Sequence, residues 1–175
     1  MMQSEIHDAV QAQVTMALLA AQKLLAPWAT QAAEARHMRV AGNGRADSLT
    51  LTIQPDQLLA AVQSLINAGW GYLITITGLD LGPEAGEIEV LYHFAAGAAV
   101  VTLCVKVKRE TAVVPSVCPI IPSASFFERE LSEMLGVTVQ NTPNTDRLFL
   151  PDNWPAGVYP LRKEFKTEGP QPSDS

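Results

Sequence analysis

What the sequence lacks narrows its chemistry first. Only two cysteines occur, Cys104 and Cys118, and neither stands in a C-x-x-C pair. They cannot build a disulfide framework or a four-thiolate cluster, and such sparing use suits a reducing compartment. The three histidines, His7, His37 and His93, lie far apart, which argues against a histidine-rich metal site. Basic residues number 12 against 18 acids in 175 residues, a net charge of −6. An acidic chain with no basic block is a poor binder of nucleic acid. There is no G-x-S-x-G, P-loop, G-x-G-x-x-G or H-E-x-x-H pattern. Gly42-Asn-Gly44 is too short to cradle a pyrophosphate and reads as a turn.

Long apolar runs are missing too. The longest charge-free stretch, Gln57–Leu79, contains Gln63, Ser64, Asn67, Gly69 and Gly71 and changes period half-way. That is a helix followed by a strand, not a membrane span. Glu5 and Asp8 precede the first base, Lys23, which is wrong for a secretory signal. The expectation is a soluble protein that meets a membrane only through a partner.

What is present predicts an α+β domain. Apolar residues are 47% and charged ones 17%, enough for one core at this length. Residues 4–26 repeat apolar positions at helical spacing and stop at Pro27. Two short strands follow over 34–54, joined at Gly42-Asn-Gly44, with Leu49, Leu51 and Ile53 on one face. Pro55 opens a second helix whose buried face is Leu58, Leu59, Val62, Leu65 and Ile66, with Gly69 as its stop. Strands are then expected at 71–77, 87–95 and 99–108, with Tyr72, Ile74 and Ile76 pointing one way. Ile88, Val90, Tyr92 and Phe94 oppose Glu87, Glu89 and His93 in the same manner. The order helix-strand-strand-helix-strand-strand-strand predicts two layers, with helices on one side of a mixed, mostly antiparallel sheet.

The last third differs. Pro115, Pro119 and Pro122 break any regular element before a helix at about 124–135, where Ser125-Phe-Phe-Glu128 has capping-box spacing and Gly136 ends the helix. Its apolar side is Phe126, Phe127, Leu131, Met134 and Leu135, and Arg129 and Glu133 are spaced to pair. Beyond Gly136 the chain is irregular, aromatic and rich in Pro, Asn and Asp, and it frays from Thr167. Such a segment reads as an arm that wraps a partner, or as a strap on its own domain. The chain thus divides into 1–113, a two-layer domain, 114–166, a helix with a partner-binding extension, and 167–175, a disordered tail.

Enzyme chemistry has one thin candidate. His93 beside Glu87 and Glu89 could form a proton relay, and Cys104 on the next strand joins that face in one of the registers the sequence leaves open. A stand-alone enzyme using His93 and a carboxylate is therefore one reading. A solvated sheet face is the other.

The blocks Phe126-Phe-Glu-Arg-Glu-Leu-Ser-Glu-Met-Leu-Gly-Val137, Pro143, Arg147, Pro151-Asp-Asn-Trp154 and Pro160-Leu-Arg-Lys-Glu-Phe165 resemble the signature of the 30 kDa subunit family of respiratory complex I, the NADH:quinone oxidoreductase. A looser match runs through Ala68-Gly-Trp-Gly-Tyr-Leu73, Thr77-Gly-Leu-Asp80, Tyr92-His-Phe94 and Val114-Pro-Ser-Val117, so the likeness covers about 55–165. Phe126 stands where the family has Trp, Glu133 where it has Asp, Thr142 where it has His, and Asp146 where it has Arg. The phrase from Leu150 to Lys163 is similar to the version in energy-converting membrane-bound [NiFe] hydrogenases.

The resemblance implies a two-layer α/β fold and a cofactor-free, non-catalytic subunit in the cytoplasmic arm, peripheral on the inner face of the cell membrane. It implies docking on a large catalytic subunit, 49-kDa-like or of the [NiFe] type, and on neighbouring iron–sulfur subunits. The motif residues it singles out are Glu128, Arg129, Glu130, Glu133, Gly136, Arg147, Trp154, Pro160, Leu161, Arg162 and Lys163. Their charges are expected to fix the helix or the subunit seam, so that Glu128→Ala or Arg162→Ala weakens assembly more than the fold. A free adaptor, detached from any complex, is the remaining alternative.

Overall fold

The computed structural model describes residues 2–40 and 44–166, with side chains at 8–35 and 47–166. The middle of the turn at Gly42-Asn-Gly44, the side chains of His7 and His37, and the end from Thr167 lie outside these.

Helix α1 (Met2–Leu25) gives way to a 3₁₀ turn at Ala26–Trp28, where Pro27 can no longer supply an amide to the ladder. Strands β1 (Glu34–Val40) and β2 (Gly44–Ile53) form an antiparallel pair. Helix α2 (Leu58–Asn67) buries Leu58, Ala61, Val62 and Leu65. Leu59, expected inside, is exposed, because the buried arc is rotated toward Ala61 and away from it. Strands β3 (Tyr72–Asp80), β4 (Glu87–Ala96) and β5 (Ala99–Lys108) make an antiparallel meander. The sheet order is β1-β2-β5-β4-β3, and only the β2–β5 junction is parallel. The fold is the expected α+β one with a mixed sheet. Helix α1 packs on β2, β5 and α2, while α3 (Ser125–Leu135) packs on β3. The indole Nε1 of Trp70 donates to the Ala17 carbonyl at 3.0 Å and ties α1 to the end of α2.

Two elements depart from expectation. Strand β3 carries a bulge: Leu73 faces Phe94 and Ile76 faces Tyr92, so three steps on β3 match two on β4. The bulge shifts the phase, and Leu73 and Ile76 enter the core. Tyr72 and Ile74, expected on one face with Ile76, are 66% and 42% exposed while Ile76 is buried. A second, parallel two-stranded sheet joins β6 (Val113–Pro115) to β7 (Thr138–Gln140), where no regular element was expected. Pro115 is tolerated there because it ends a short edge strand. Gly71 is fixed by close approach: with φ +64°, a Cβ would collide with the Ala95 carbonyl oxygen.

Candidate functional site

The motif residues converge on α3 and the chain that wraps it. Gly136 ends α3 as expected, with φ +68° and its amide donating to Ser132 O at 2.9 Å. The capping box does not form. Ala124 is the N-cap and no side chain caps the helix, because the Glu128 carboxylate turns inward instead. It is 2% exposed and accepts from the Ser116 hydroxyl at 2.8 and 3.1 Å, the Val117 amide at 2.7 Å and the Cys118 thiol at 3.2 Å. Burial, with the Glu128 charge adding to it, pushes the Tyr92 phenol above its ordinary range. Glu128 is thus held inside its own chain, so its truncation is expected to strike the fold first.

Arg129 and Glu133 do not pair with each other. Arg129 donates to the carbonyls of Asp146 and Arg147, both at 2.7 Å. Glu133 accepts from the amides of Leu148, Phe149 and Leu150, the shortest at 2.8 Å. A segment without a ladder must find partners for its backbone elsewhere, and one helix face supplies both kinds. Arg147 reaches on to the carbonyls of Pro151 at 2.7 Å and Trp154 at 2.9 Å. The Trp154 indole donates to Val158 O at 2.9 Å and its ring lies 6.1 Å from Phe165. Phe126, expected on the apolar side, is 62% exposed with the Arg129 guanidinium 6.0 Å from its ring.

The Pro160–Lys163 block closes the strap. The Leu161 amide donates to Met134 O at 3.0 Å. Arg162 donates to Leu135 O at 2.6 Å and Arg109 O at 3.2 Å, and its guanidinium lies 5.5 Å from the Tyr159 ring. That ring lies over Gly136, where a Cβ would collide with it. The Lys163 amide donates to Asp80 at 2.9 Å and its ammonium to Leu81 O at 3.0 Å.

Asp80 and Arg109 are the pair that sequence reasoning missed. Asp80 is 3% exposed and takes both Nε and Nη2 of Arg109, at 2.8 and 3.1 Å, with the Gly82 amide at 3.0 Å. Arg109 also meets Glu164. Burial alone would raise the Asp80 pKa, but the guanidinium and the amides of Lys163 and Gly82 outweigh it and hold it well below the usual carboxylate range. The available signal was an Asp two residues before a Gly at a strand end, the pattern of a side chain closing its own turn.

The His93 face is assembled differently from a relay. His93 Nε2 lies 3.0 Å from Thr77 Oγ1 and Nδ1 2.9 Å from Thr102 Oγ1, so both ring nitrogens are engaged by hydroxyls. Glu89 pairs with Lys106 at 3.0 Å. Burial, then the Glu89 charge, pushes the Cys104 thiol up to about 11, which disfavours the thiolate. His93, Thr102, Glu89, Lys106 and Cys104 line an open trough of about 480 Å³ on the sheet. Burial also lowers the His93 pKa. Its imidazole should therefore titrate by NMR below the ordinary value near 6.5. The unfolded chain then binds the extra proton, so stability should fall as pH drops through about 6.5, and His93→Gln should flatten that slope. An unchanged slope would refute the assignment. Among the described residues no three His, Cys, Asp or Glu side chains are placed to hold a metal ion, and no helix is long and apolar enough to cross a membrane.

The comparisons with known proteins agree with the motif. The family described as respiratory-chain NADH dehydrogenase, 30 Kd subunit, matches residues 51–171. The C subunit of NADH-quinone oxidoreductase from Moorella thermoacetica is 34% identical over 128 residues, 70% of this chain and 84% of that protein. Formate hydrogenlyase subunit 5 of Escherichia coli is also 34% identical, over 67% of this chain, which spans only 21% of that longer protein. In fold, the chain resembles one in the archaeal membrane-bound sulfane sulfur reductase, with TM-score 0.65 and 22% identity over 84% of each chain. The chain belongs to the 30 kDa subunit family of respiratory-chain NADH dehydrogenase, whose relatives include hydrogenase-related subunits.

Proposed function

We propose that this chain is a cofactor-free structural subunit of the peripheral arm of a complex I-like NADH:quinone oxidoreductase, on the cytoplasmic face of the membrane, and that it braces the large catalytic subunit. The observation that carries the reading is the use made of the motif charges. Arg129, Glu133, Arg147, Arg162 and Lys163 bind this chain's own backbone between 81 and 154. That arrangement shapes a surface and activates no substrate. It holds the irregular stretch after β7 against α3 and the body and leaves Phe126, Phe149 and Leu161 exposed there. Preformed aromatic and aliphatic anchors are what a docking subunit presents, since the ordering cost is met before binding. A second reading, the equivalent subunit of an energy-converting [NiFe] hydrogenase, is favoured by the likeness to formate hydrogenlyase subunit 5 and by the phrase from Leu150 to Lys163, which resembles the hydrogenase version.

The test is purification of the tagged chain from native membranes in mild detergent, with its companions identified by mass spectrometry. A quinone-reductase large subunit supports the first host and a nickel–iron large subunit the second. Recovery of the chain alone from the soluble fraction overturns both. Arg162→Ala should cut recovery of the large subunit several-fold. The isolated variant should lose only about 1 kcal/mol, because the two carbonyls that Arg162 leaves can turn to water. A loss from the isolated chain large enough to account for the drop in recovery would refute the docking role of the strap.

A further inference from the structure

One motif charge is left over. Glu130 makes no hydrogen bond or ion pair within the described chain, although it is half-buried and its neighbours Glu128, Arg129 and Glu133 are all engaged. It lies on the wall of a groove of about 260 Å³ between α3 and β3, with Thr75–Gly78 on one side, Leu131, Met134 and Leu135 on the other and Leu161 at the end. Among the described residues strand β3 is the last of its sheet and pairs only with β4, so its outer backbone groups face this groove side without a ladder. The bulge turns Tyr72 and Ile74 outward beside it. A long edge strand with exposed apolar side chains is a template for one more strand.

We infer that the free edge of β3 takes an extended segment of a partner subunit, and that Glu130 receives a lysine or arginine from that segment. The inference rests on the structural-subunit reading and names the seam. Charge selects the occupant. Residues 167–175 contain two acids, two prolines and no Lys or Arg, so they offer Glu130 no cation and would break a ladder twice. A second copy placed edge to edge would bring two Glu130 carboxylates to one seam, between chains each of net charge −6. An extended segment carrying a cation satisfies both the unpaired edge and the unpaired acid.

The test replaces Ile74 with a photo-crosslinking phenylalanine in the tagged chain, irradiates the complex purified from native membranes and maps the linked peptide. The expected result is a peptide of a different subunit with a Lys or Arg within a few residues of the link. Glu130→Lys should reduce that link roughly tenfold by setting like charges together, and reversing the partner's cation to Glu should restore it. The isolated Glu130→Lys chain should melt within about 2 °C of the wild type, as a surface change does. A link to this chain itself, no link in an assembled complex, or a link indifferent to Glu130→Lys overturns the inference and leaves the subunit reading standing. Absence of any large subunit from the same preparation removes both.

Discussion

Glu128→Ala should lower the unfolding free energy of the isolated chain by about 3 kcal/mol and its melting temperature by roughly 10 °C, read by circular dichroism. The carboxylate is the common acceptor for three donors on consecutive residues, Ser116, Val117 and Cys118. Without it the serine and thiol can rotate toward other partners. The Val117 amide cannot, and an orphaned buried amide is the dearer loss. The truncation also opens a hole beside Ser116, Val117 and Cys118, all buried. Glu128→Gln keeps the volume but turns an NH₂ group toward donors, so it should fall between wild type and alanine. Ser116→Ala should cost only about 1 kcal/mol, since the carboxylate keeps its other donors. Wild-type melting of Glu128→Ala would mean that the acid acts across the seam and not inside the chain.

The sheet was legible because β4 alternates along almost its whole length and β5 keeps one face fully buried, which fixes both period and register. Strand β3 was misjudged at its start, because Tyr72, Ile74 and Ile76 alternate as well as any strand and a bulge leaves no mark in composition. The same limit holds on α3. Spacing places Arg129 and Glu133 on one face, but it does not say that 146–150 would arrive with bare carbonyls and amides to claim them. The Ser125–Glu128 spacing failed for a related reason: a tertiary site for the carboxylate outcompeted a local cap. The motif singled out a set of charged residues. Only the packing tells that all but Glu130 among the charged ones act on their own chain. Asp80 and Arg109 are 29 residues apart and meet through the β4–β5 meander, a distance at which no sequence period operates.

Asp80→Asn should weaken the strap and the sheet end together, because the carboxylate joins three parts of the chain. It closes the turn at Gly82, holds Arg109 after β5 and receives the Lys163 amide of the extension. Arg109 in turn offers its carbonyl to Arg162. Loss of the charge leaves a guanidinium that is only 15% exposed facing a neutral amide, with exposed Glu164 as its remaining acid. Breaking such a pair costs about 3 kcal/mol at neutral pH, and cleavage by trypsin after Arg162 and Lys163 should speed up at least as much as the unfolded fraction grows. The pH dependence separates this charge from mere packing. The folded pKa lies below that of the unfolded chain, so the unfolded state binds the proton first. The contribution is whole above about pH 4 and declines as pH falls below it toward the folded value. Wild type and Asp80→Asn should therefore differ most at pH 7 and draw together below pH 4, measured by urea unfolding at each pH. A gap that stays constant into acid would assign the loss to shape, and would remove Asp80 as the electrostatic clasp that holds the docking extension on the domain.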